Sequence, residues 1–461
     1  MNDLIIMNYY EFTIIPLIDF IILPIYLAIF FGIAIKYRNK HYRRDHPWRP
    51  YFIPALTFKM LGALVISFVF TYYYDGGDTV NIFENAYTAN KSIDHSFGAW
   101  LDLILHRAQP GDPRYYELWG KLYFYRDPAT FTVCAITAVL NLFTFNSFII
   151  TACLFAFLSF WGVWALFRAF VTLYPNLTKP MALATLFIPS LIVWGSGIFK
   201  DTICLFALSW LFYCIVRIMT YKDYRLKIFI IAIINFLLLI NIKLYIAMAF
   251  VPALLLWIFF YYSRTIKNWY GRQLAKVVFI AVIFGTLTLA LSQFSEDLGK
   301  YSLENIAETS ATTRDYINWV SETEGGSAYS LGDVGSGIGG LLTKIPAAIN
   351  VTLFRPYPWE ARKPIVAITA LEALLFLFLT LKIMFTIGIK NIWATISADP
   401  TIQFCLVFTL IFAFAVGISS YNFGTLSRYK IPCLPFYAVA LIVIFYKNKR
   451  PNQLLIPFLK F

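Results

Sequence analysis

The sequence predicts an all-α integral membrane protein, a polytopic bundle of about eleven transmembrane helices with amphipathic interfacial helices in its first external loop. Three observations predict it. Of the 461 residues, 59% are hydrophobic and only 14% charged, with a mean hydropathy of +0.67, far from the balance of a water-soluble domain. Many apolar runs reach or approach the roughly 20 residues that a helix needs to cross about 30 Å of hydrocarbon. Basic residues gather in some of the intervening loops and acidic residues in others, which is how membrane topology is written in a sequence. The short alternating segments of a transmembrane barrel are missing.

Taken in order, the first apolar run, about 12–35, is too long for a signal-peptide core and has no small-residue cleavage site behind it, so it is expected to stay in the mature protein. Basic loops follow at Lys36 to Arg49, Arg217 to Lys227, Arg264 to Lys276 and from Lys447 onward, and the positive-inside rule puts them in the cytoplasm. Segments 75–128 and 294–345 are rich in acids and belong outside. Counting crossings between these anchors gives spans near 12–35, 52–74, 147–168, 180–196, 201–219, 227–240, 244–262, 277–293, 363–386, 401–418 and 431–446. The N-terminus then lies outside and the C-terminus inside, in what the sequence suggests is a bacterial inner membrane. The run 129–145 would invert every later loop if it crossed, so it reads as a half-embedded or peripheral helix. Residues 97–107 (FGAWLDLILHR) set Asp102, His106 and Arg107 against an aromatic and aliphatic face, the pattern of a helix in the membrane interface or of an ordinary amphipathic packing helix. The whole chain, 1–461, reads as a single transmembrane domain carrying two large external loops, 75–128 and 294–362.

Several other function classes fall away. The net charge of +13 is distributed by loop and not along one face, so it reports topology and not a nucleic-acid partner. Cys134, Cys153, Cys204, Cys214, Cys405 and Cys433 all sit in apolar runs, as small core residues do, without disulfide or metal-site spacing. The four histidines likewise show no ligand spacing. The Gly- and Ser-rich stretch 321–340 reads as mobile, and its Gly335-x-Gly337-x-x-Gly340 has no preceding strand, which removes a dinucleotide reading. No internal repeat suggests a transporter of two similar halves.

Where chemistry is expected, the chain departs from its apolar background. Tyr72 to Asn81 (YYYDGGDTVN) breaks out of a long apolar run with Asp75 and Asp78 around a Gly-Gly turn at the membrane surface. An external acid or base would sit there, although Asp and Gly also end helices for purely structural reasons. The turn from Trp194 to Asp201 (WGSGIFKD) brings Ser196, Lys200 and Asp201; Asp201 can cap the following helix, whereas a cation at a helix N-terminus calls for an anion. Lys243 lies in a short external turn, where snorkelling would also explain it. Arg355 and Glu360 fall in a stiff, proline-rich, aromatic segment, and Arg428 and Lys430 stand at the mouth of the last span. Five external cations (Lys200, Lys243, Arg355, Arg428, Lys430) facing two carboxylates suit an anionic, lipid-linked substrate, with phosphate or pyrophosphate neutralised by the cations and a carboxylate taking a proton from an attacking hydroxyl. Tyr74 and neighbouring aromatics could stack on sugar rings or form an interfacial belt.

In the order and placement of these residues the chain resembles the bacterial polytopic glycosyltransferases of the GT-C superfamily, which use polyprenyl-phosphate-linked sugars outside the membrane. The likeness lies in Asp75 and Asp78 early in the first large external loop, amphipathic helices in that loop, Ser196, Lys200 and Asp201 in a later external turn, and an Arg-Tyr-x-x-Pro element at Arg428, Tyr429 and Pro432. About forty residues carry it. PSLIVWGSGIFKD and LFRPYPWEA also resemble membrane proteins of bacterial surface-polysaccharide loci, polymerase-like ones among them. The chain departs from the superfamily in having an extra span before the acidic loop and no soluble C-terminal domain. The resemblance implies that Asp75 or Asp78 is the general base and that Arg428 meets the lipid phosphate.

The expected function is therefore transfer of a sugar from a polyprenyl-phosphate- or pyrophosphate-linked donor to a glycan, lipid or protein acceptor on the extracytoplasmic face, with membrane lipids as neighbours and no nucleic acid. A polysaccharide polymerase joining lipid-linked repeat units is the close alternative. A lipid-linked oligosaccharide flippase is the alternative from another class, and against it Lys59 and Glu372 are the clearest charges inside spans, too few to outline a path. No cofactor is expected; a divalent cation between Asp75 and Asp78 would be a thin site.

Overall fold

The computed structural model describes residues 13–109, 111–263, 268, 270–271, 277, 328–332, 337–361, 363–450 and 453–455. These residues are helical, with no strand among them and one isolated bridge, Ala328 to Asn422. In chain order the α-helices are α1 (Leu17–His41), α2 (Arg49–Phe68), α3 (Asp78–Lys91), α4 (Phe97–Ile104), α5 (Pro128–Asn141), α6 (Phe148–Leu173), α7 (Thr178–Leu186), α8 (Pro189–Val193), α9 (Lys200–Tyr221), α10 (Leu226–Ser263), α11 (Gly337–Thr343), α12 (Ile345–Phe354), α13 (Pro364–Ile387), α14 (Ile389–Ala398), α15 (Pro400–Ser420), α16 (Phe423–Tyr429) and α17 (Leu434–Asn448).

Among the described residues seven helical stretches are long and apolar enough to cross a membrane, or eight if α16 and α17, bent by 67° at Lys430–Cys433, count as one broken span. The count of about eleven is not reached, for identifiable reasons. The stretch expected at 180–196 is interrupted at Phe187 and Ile188 ahead of Pro189, leaving helices of 9 and 5 residues. The two spans expected at 227–240 and 244–262 are two helical segments that meet at a kink at Lys243 (φ −145°, ψ 80°) and count as one 38-residue stretch. The span expected at 277–293 and most of the second external loop lie outside the described residues. The run 129–145 forms α5, at 14 residues too short to cross, in keeping with a peripheral helix.

The chain forms two compact units, Met1–Leu173 with Leu191–Lys243, and Tyr174–Ser190 with Leu244–Phe461. In the first, α6 is the core helix: it packs on α9 and α2, and most of its side chains are buried. Gly162 permits the α6–α9 approach, since a Cβ there would lie 2.7 Å from the Phe206 Cα. Outside them, α1 leaves Ile18, Ile21, Ile25, Ile29 and Ile33 exposed, the face such a helix turns to lipid. In segment 75–128 α3 packs on α5 and α4. Of α4, Ala99, Trp100 and Leu103 are buried while Phe97 and Leu101 are exposed; Trp100 donates from Nε1 to Asn90 Oδ1 at 2.8 Å.

The second unit is built on α15, which packs against α12, α14 and α17, with α7 and α13 on α17. Gly417 lets α12 approach, and Thr352 Oγ1 donates to the Ala413 carbonyl across the same contact at 2.7 Å. At the other end Asp399 caps α15 through the Thr401 amide at 2.8 Å, and its second oxygen accepts from Lys447 Nζ at 2.5 Å and from the Tyr174 hydroxyl at 2.9 Å.

Close helix approach at small residues is the usual basis of membrane-helix packing, because lipid tails remove most of the hydrophobic drive. The glycines can be sorted on this ground. Gly62→Ala and Gly417→Ala would place a Cβ 2.1 Å from the Ile192 carbonyl oxygen and 2.4 Å from the Ala348 carbonyl oxygen. Each is expected to destabilise by about 1–3 kcal/mol. Gly32→Ala meets nothing within 4 Å and is expected to be neutral or to stabilise by up to about 1 kcal/mol. Thermal unfolding in detergent, followed for the three variants together, checks the ordering.

Candidate functional site

In the first unit, α2 does not end at Phe68 but continues through a π-helical turn, Val69–Tyr73, before the chain reverses over Asp75, Gly76 and Gly77. All three have positive φ, at 49°, 130° and 107°. The glycines accept this without cost, and a Cβ on Gly77 would also press the Phe70 ring at 3.1 Å. Asp75 is the residue that bears strain. It is a non-glycine in the left-handed region, its carboxylate is exposed, and it has no hydrogen bond or ion pair among the described residues. Asp78, also exposed, opens α3, where the helix dipole favours an anion.

Aromatic packing brings this turn to the second expected one. Phe70 meets Phe199 edge-on with ring centroids 5.5 Å apart, and Tyr74 packs on Phe70 at 5.3 Å. Phe199 immediately precedes Lys200, the first residue of α9. Lys200 Nζ lies 3.5 Å from Asp127 Oδ2, and both side chains are partly open to solvent. Asp127 also caps α5, accepting from the Ala129 amide at 3.1 Å and from the Thr130 hydroxyl. Burial pushes its carboxyl up, but the Thr130 bond and the Lys200 charge outweigh this and hold it below the ordinary value. The sequence reading passed over Asp127; its signal was Asp127-Pro128 ahead of an apolar run, a cap followed by a first-turn proline.

The remaining first-unit candidates face inward. Ser196 is buried and donates to the Ile192 carbonyl at 2.5 Å. Asp201 and Lys243 are both buried and paired with one another. The α9 cap position is Phe199, without a side-chain cap, so the Asp201 carboxylate serves Lys243 where a capping role had been expected. Lys59, fully buried, donates to Ser159 Oγ at 3.1 Å and to the carbonyls of Leu191 and Gly195 at 2.8 and 2.7 Å.

In the second unit, Arg355 Nε donates to both Glu360 oxygens at 3.1 Å, and its guanidinium lies over the Phe423 ring, 5.2 Å from the centroid. Glu360 also accepts from the Tyr357 amide at 2.8 Å. Burial raises the Glu360 carboxyl, but the bonds from Arg355 and Tyr357 hold it below its ordinary 4.5. Arg428 is half-buried with its guanidinium over the Tyr429 ring. Lys430 is not at an open mouth: it is fully buried and donates to the Arg355 carbonyl at 3.2 Å. Within its electrostatic reach is Glu372, whose Oε2 accepts from the Ser190 amide at 2.7 Å. Tyr329 docks here as well, with its amide on the Tyr421 carbonyl at 3.0 Å and its hydroxyl on that of Gly417 at 2.9 Å.

Among the described residues no three His, Cys, Asp or Glu side chains converge as metal ligands, and the six cysteines are buried and unpaired. Comparison of the chain with protein-family models, with curated proteins and with solved structures finds no match. Fold and composition together define a helical membrane protein.

The two ion pairs respond differently to perturbation. Asp201→Asn leaves the Lys243 ammonium buried without its counter-charge and is expected to cost about 3–5 kcal/mol, whereas the double change Asp201→Leu with Lys243→Met is expected to be far milder. Thermal unfolding of the single and double variants in detergent measures the gap. For Glu360 the folded-state value is depressed, so its contribution is present above pH 4.5 and is lost as pH falls through the folded value. The stability difference between the unmodified protein and Glu360→Gln is therefore expected to be full at pH 7 and to shrink below pH 4.5, as read from melting points across that range.

Proposed function

We propose that the protein is a glycosyltransferase that moves a sugar from a polyprenyl-phosphate-linked donor to an acceptor hydroxyl outside the membrane, with Asp75 or Asp78 as the base. The observation that carries this reading is Asp75. An exposed carboxylate in the left-handed region, just after a π-helical turn and with no hydrogen bond or ion pair among the described residues, supports a reacting group there. The turn packs through Phe70 on Phe199, the residue before Lys200, which supports Lys200 as its companion cation. The acceptor hydroxyl would give its proton to the carboxylate while its oxygen forms the new glycosidic bond. The bond from the sugar to the carrier phosphate breaks, and the phosphate leaves with the electron pair. Lys200 would neutralise that charge. A polymerase would use the same chemistry on repeat units, and product length separates the two: one added sugar for a transferase, a ladder for a polymerase.

The test is mass spectrometry of lipid-linked glycans from cells producing the unmodified protein, Asp75→Asn, Asp78→Asn or the double variant at equal level. Expected is a loss of transfer of at least about a hundredfold in one single variant and in the double, with the unmodified donor accumulating on the outer leaflet. Full activity in both single variants removes the base assignment, and donor retained on the inner leaflet indicates a flippase.

A further inference from the structure

Helices α9 and α10 are both long and apolar enough to span a membrane, and only residues 222–225 connect them. Lys222 ends α9 in the left-handed region at φ 53°, which turns the chain sharply. Around this turn one buried carboxylate fixes two arginines. Asp223 Oδ2 accepts from Arg217 Nε at 3.2 Å and Nη2 at 2.6 Å; Arg225 donates to Oδ1 from Nε at 2.7 Å and to Oδ2 from Nη2 at 2.6 Å. The Arg217 guanidinium also lies over the Tyr221 ring, 4.7 Å from its centroid. Each guanidinium thus spends Nε and Nη2 on Asp223 and keeps Nη1 without a hydrogen bond among the described residues. The bonds from Arg225 and Arg217 hold the Asp223 carboxyl far below its ordinary value, so the clamp stays charged across the physiological range.

These groups line an open depression of about 630 Å³ formed by Arg217, Tyr221, Lys222, Asp223, Tyr224 and Arg225. Three cations against one carboxylate leave it an excess of two positive charges. Directly after it, α10 exposes Leu226, Phe229, Ile230 and Ile233, a continuous apolar strip starting next to Arg225. Basic loops are common on membrane proteins for topological reasons alone, and Arg43 illustrates the ordinary case: it is 90% exposed and sits 3.6 Å from an equally open Asp45. The 217–225 turn differs in that its arginines are held in place before any ligand arrives.

We propose that this turn binds the phosphate headgroup of an anionic membrane phospholipid, with Arg217 and Arg225 on the phosphate oxygens and the acyl chains along the exposed strip of α10. A phosphodiester supplies the acceptor oxygens that the two Nη1 edges lack, and the apolar strip favours a lipid over free phosphate. The site is separate from the proposed transfer chemistry and does not depend on it.

The test uses the full-length protein purified in detergent, with phosphatidylglycerol and phosphatidylcholine of identical chains added in native mass spectrometry. Expected is a clear excess of phosphatidylglycerol adducts, reduced about fivefold in Arg225→Gln and further in Arg217→Gln with Arg225→Gln. Arg225 is more than half exposed, so its single variant is expected to fold unchanged and keeps the result interpretable if the double variant does not. Equal adducts of the two lipids, a preference unchanged in Arg225→Gln, or displacement of phosphatidylglycerol by excess inorganic phosphate would each overturn the proposal.

Discussion

Backbone polar groups in a hydrocarbon environment have to find partners within the protein, and much of this molecule follows from how that demand is met where helices break. Lys59 meets it in the first unit. Its ammonium reaches the carbonyls of Leu191 and Gly195, which follow the interruption at Phe187 and Ile188, and the Ser159 hydroxyl, so all three of its protons are used. Burying a charge there is costly, and its hydrogen bonds to carbonyls at and beyond the end of α8 offset part of that cost. Lys243 is the parallel case: it stands at the break in α10 and is neutralised by Asp201. In the second unit Lys430 lies at the bend between α16 and α17, bonded to the Arg355 carbonyl. Three buried lysines each serve an irregularity in the helices, Lys59 by reaching across from within α2 and Lys243 and Lys430 by standing at the break itself.

These irregularities are also where sequence reading and structure part company. Long uninterrupted runs such as 148–173 and 400–420 are legible because length and apolarity alone decide them. The breaks were not. Hydropathy averages across a two-residue interruption, and the run 180–196 therefore reads as continuous despite Pro189. Lys243 pointed to an external turn because a lysine between apolar runs ordinarily reaches water; its partner, Asp201, is 42 residues away, and no periodicity reports such a pairing. Lys430 misled in the same way. By contrast Asp75 and Asp78 stand out as two acids around a Gly-Gly pair at the end of an apolar run, and both are exposed.

The charges of this protein thus divide by what they touch. Lys59, Asp201, Lys243 and Glu360 have their hydrogen-bonding capacity engaged by protein groups, and their first duty is to hold backbone or one another in place. Lys200 and Asp127 form a looser pair, 3.5 Å apart and partly open, which a competing anion could rearrange at little cost because exposed pairs of this kind are worth at most about 1 kcal/mol. Asp75 is at the far end of the scale. Residue type alone would have ranked these groups alike; burial and partnership separate the ones that build the scaffold from the ones available for chemistry.

The distribution of rigidity supports the same division. Asp75 occupies a strained conformation, and strain persists only where its surroundings over-determine the backbone. Here the determinants are specific: the Gly76 amide bonded to the Phe70 carbonyl at 2.9 Å, the Tyr74 amide to that of Val69 at 3.0 Å, the Phe70 ring wedged between Gly77 and Phe199, and the α3 helix beginning at once with the Asn81 amide on the Gly77 carbonyl at 2.9 Å. Each of these contacts involves backbone or an apolar ring, and none uses the carboxylate. A turn that fixes the position of an acid while its oxygens have no hydrogen bond among the described residues separates placement from engagement, which is compatible with the base role proposed for Asp75.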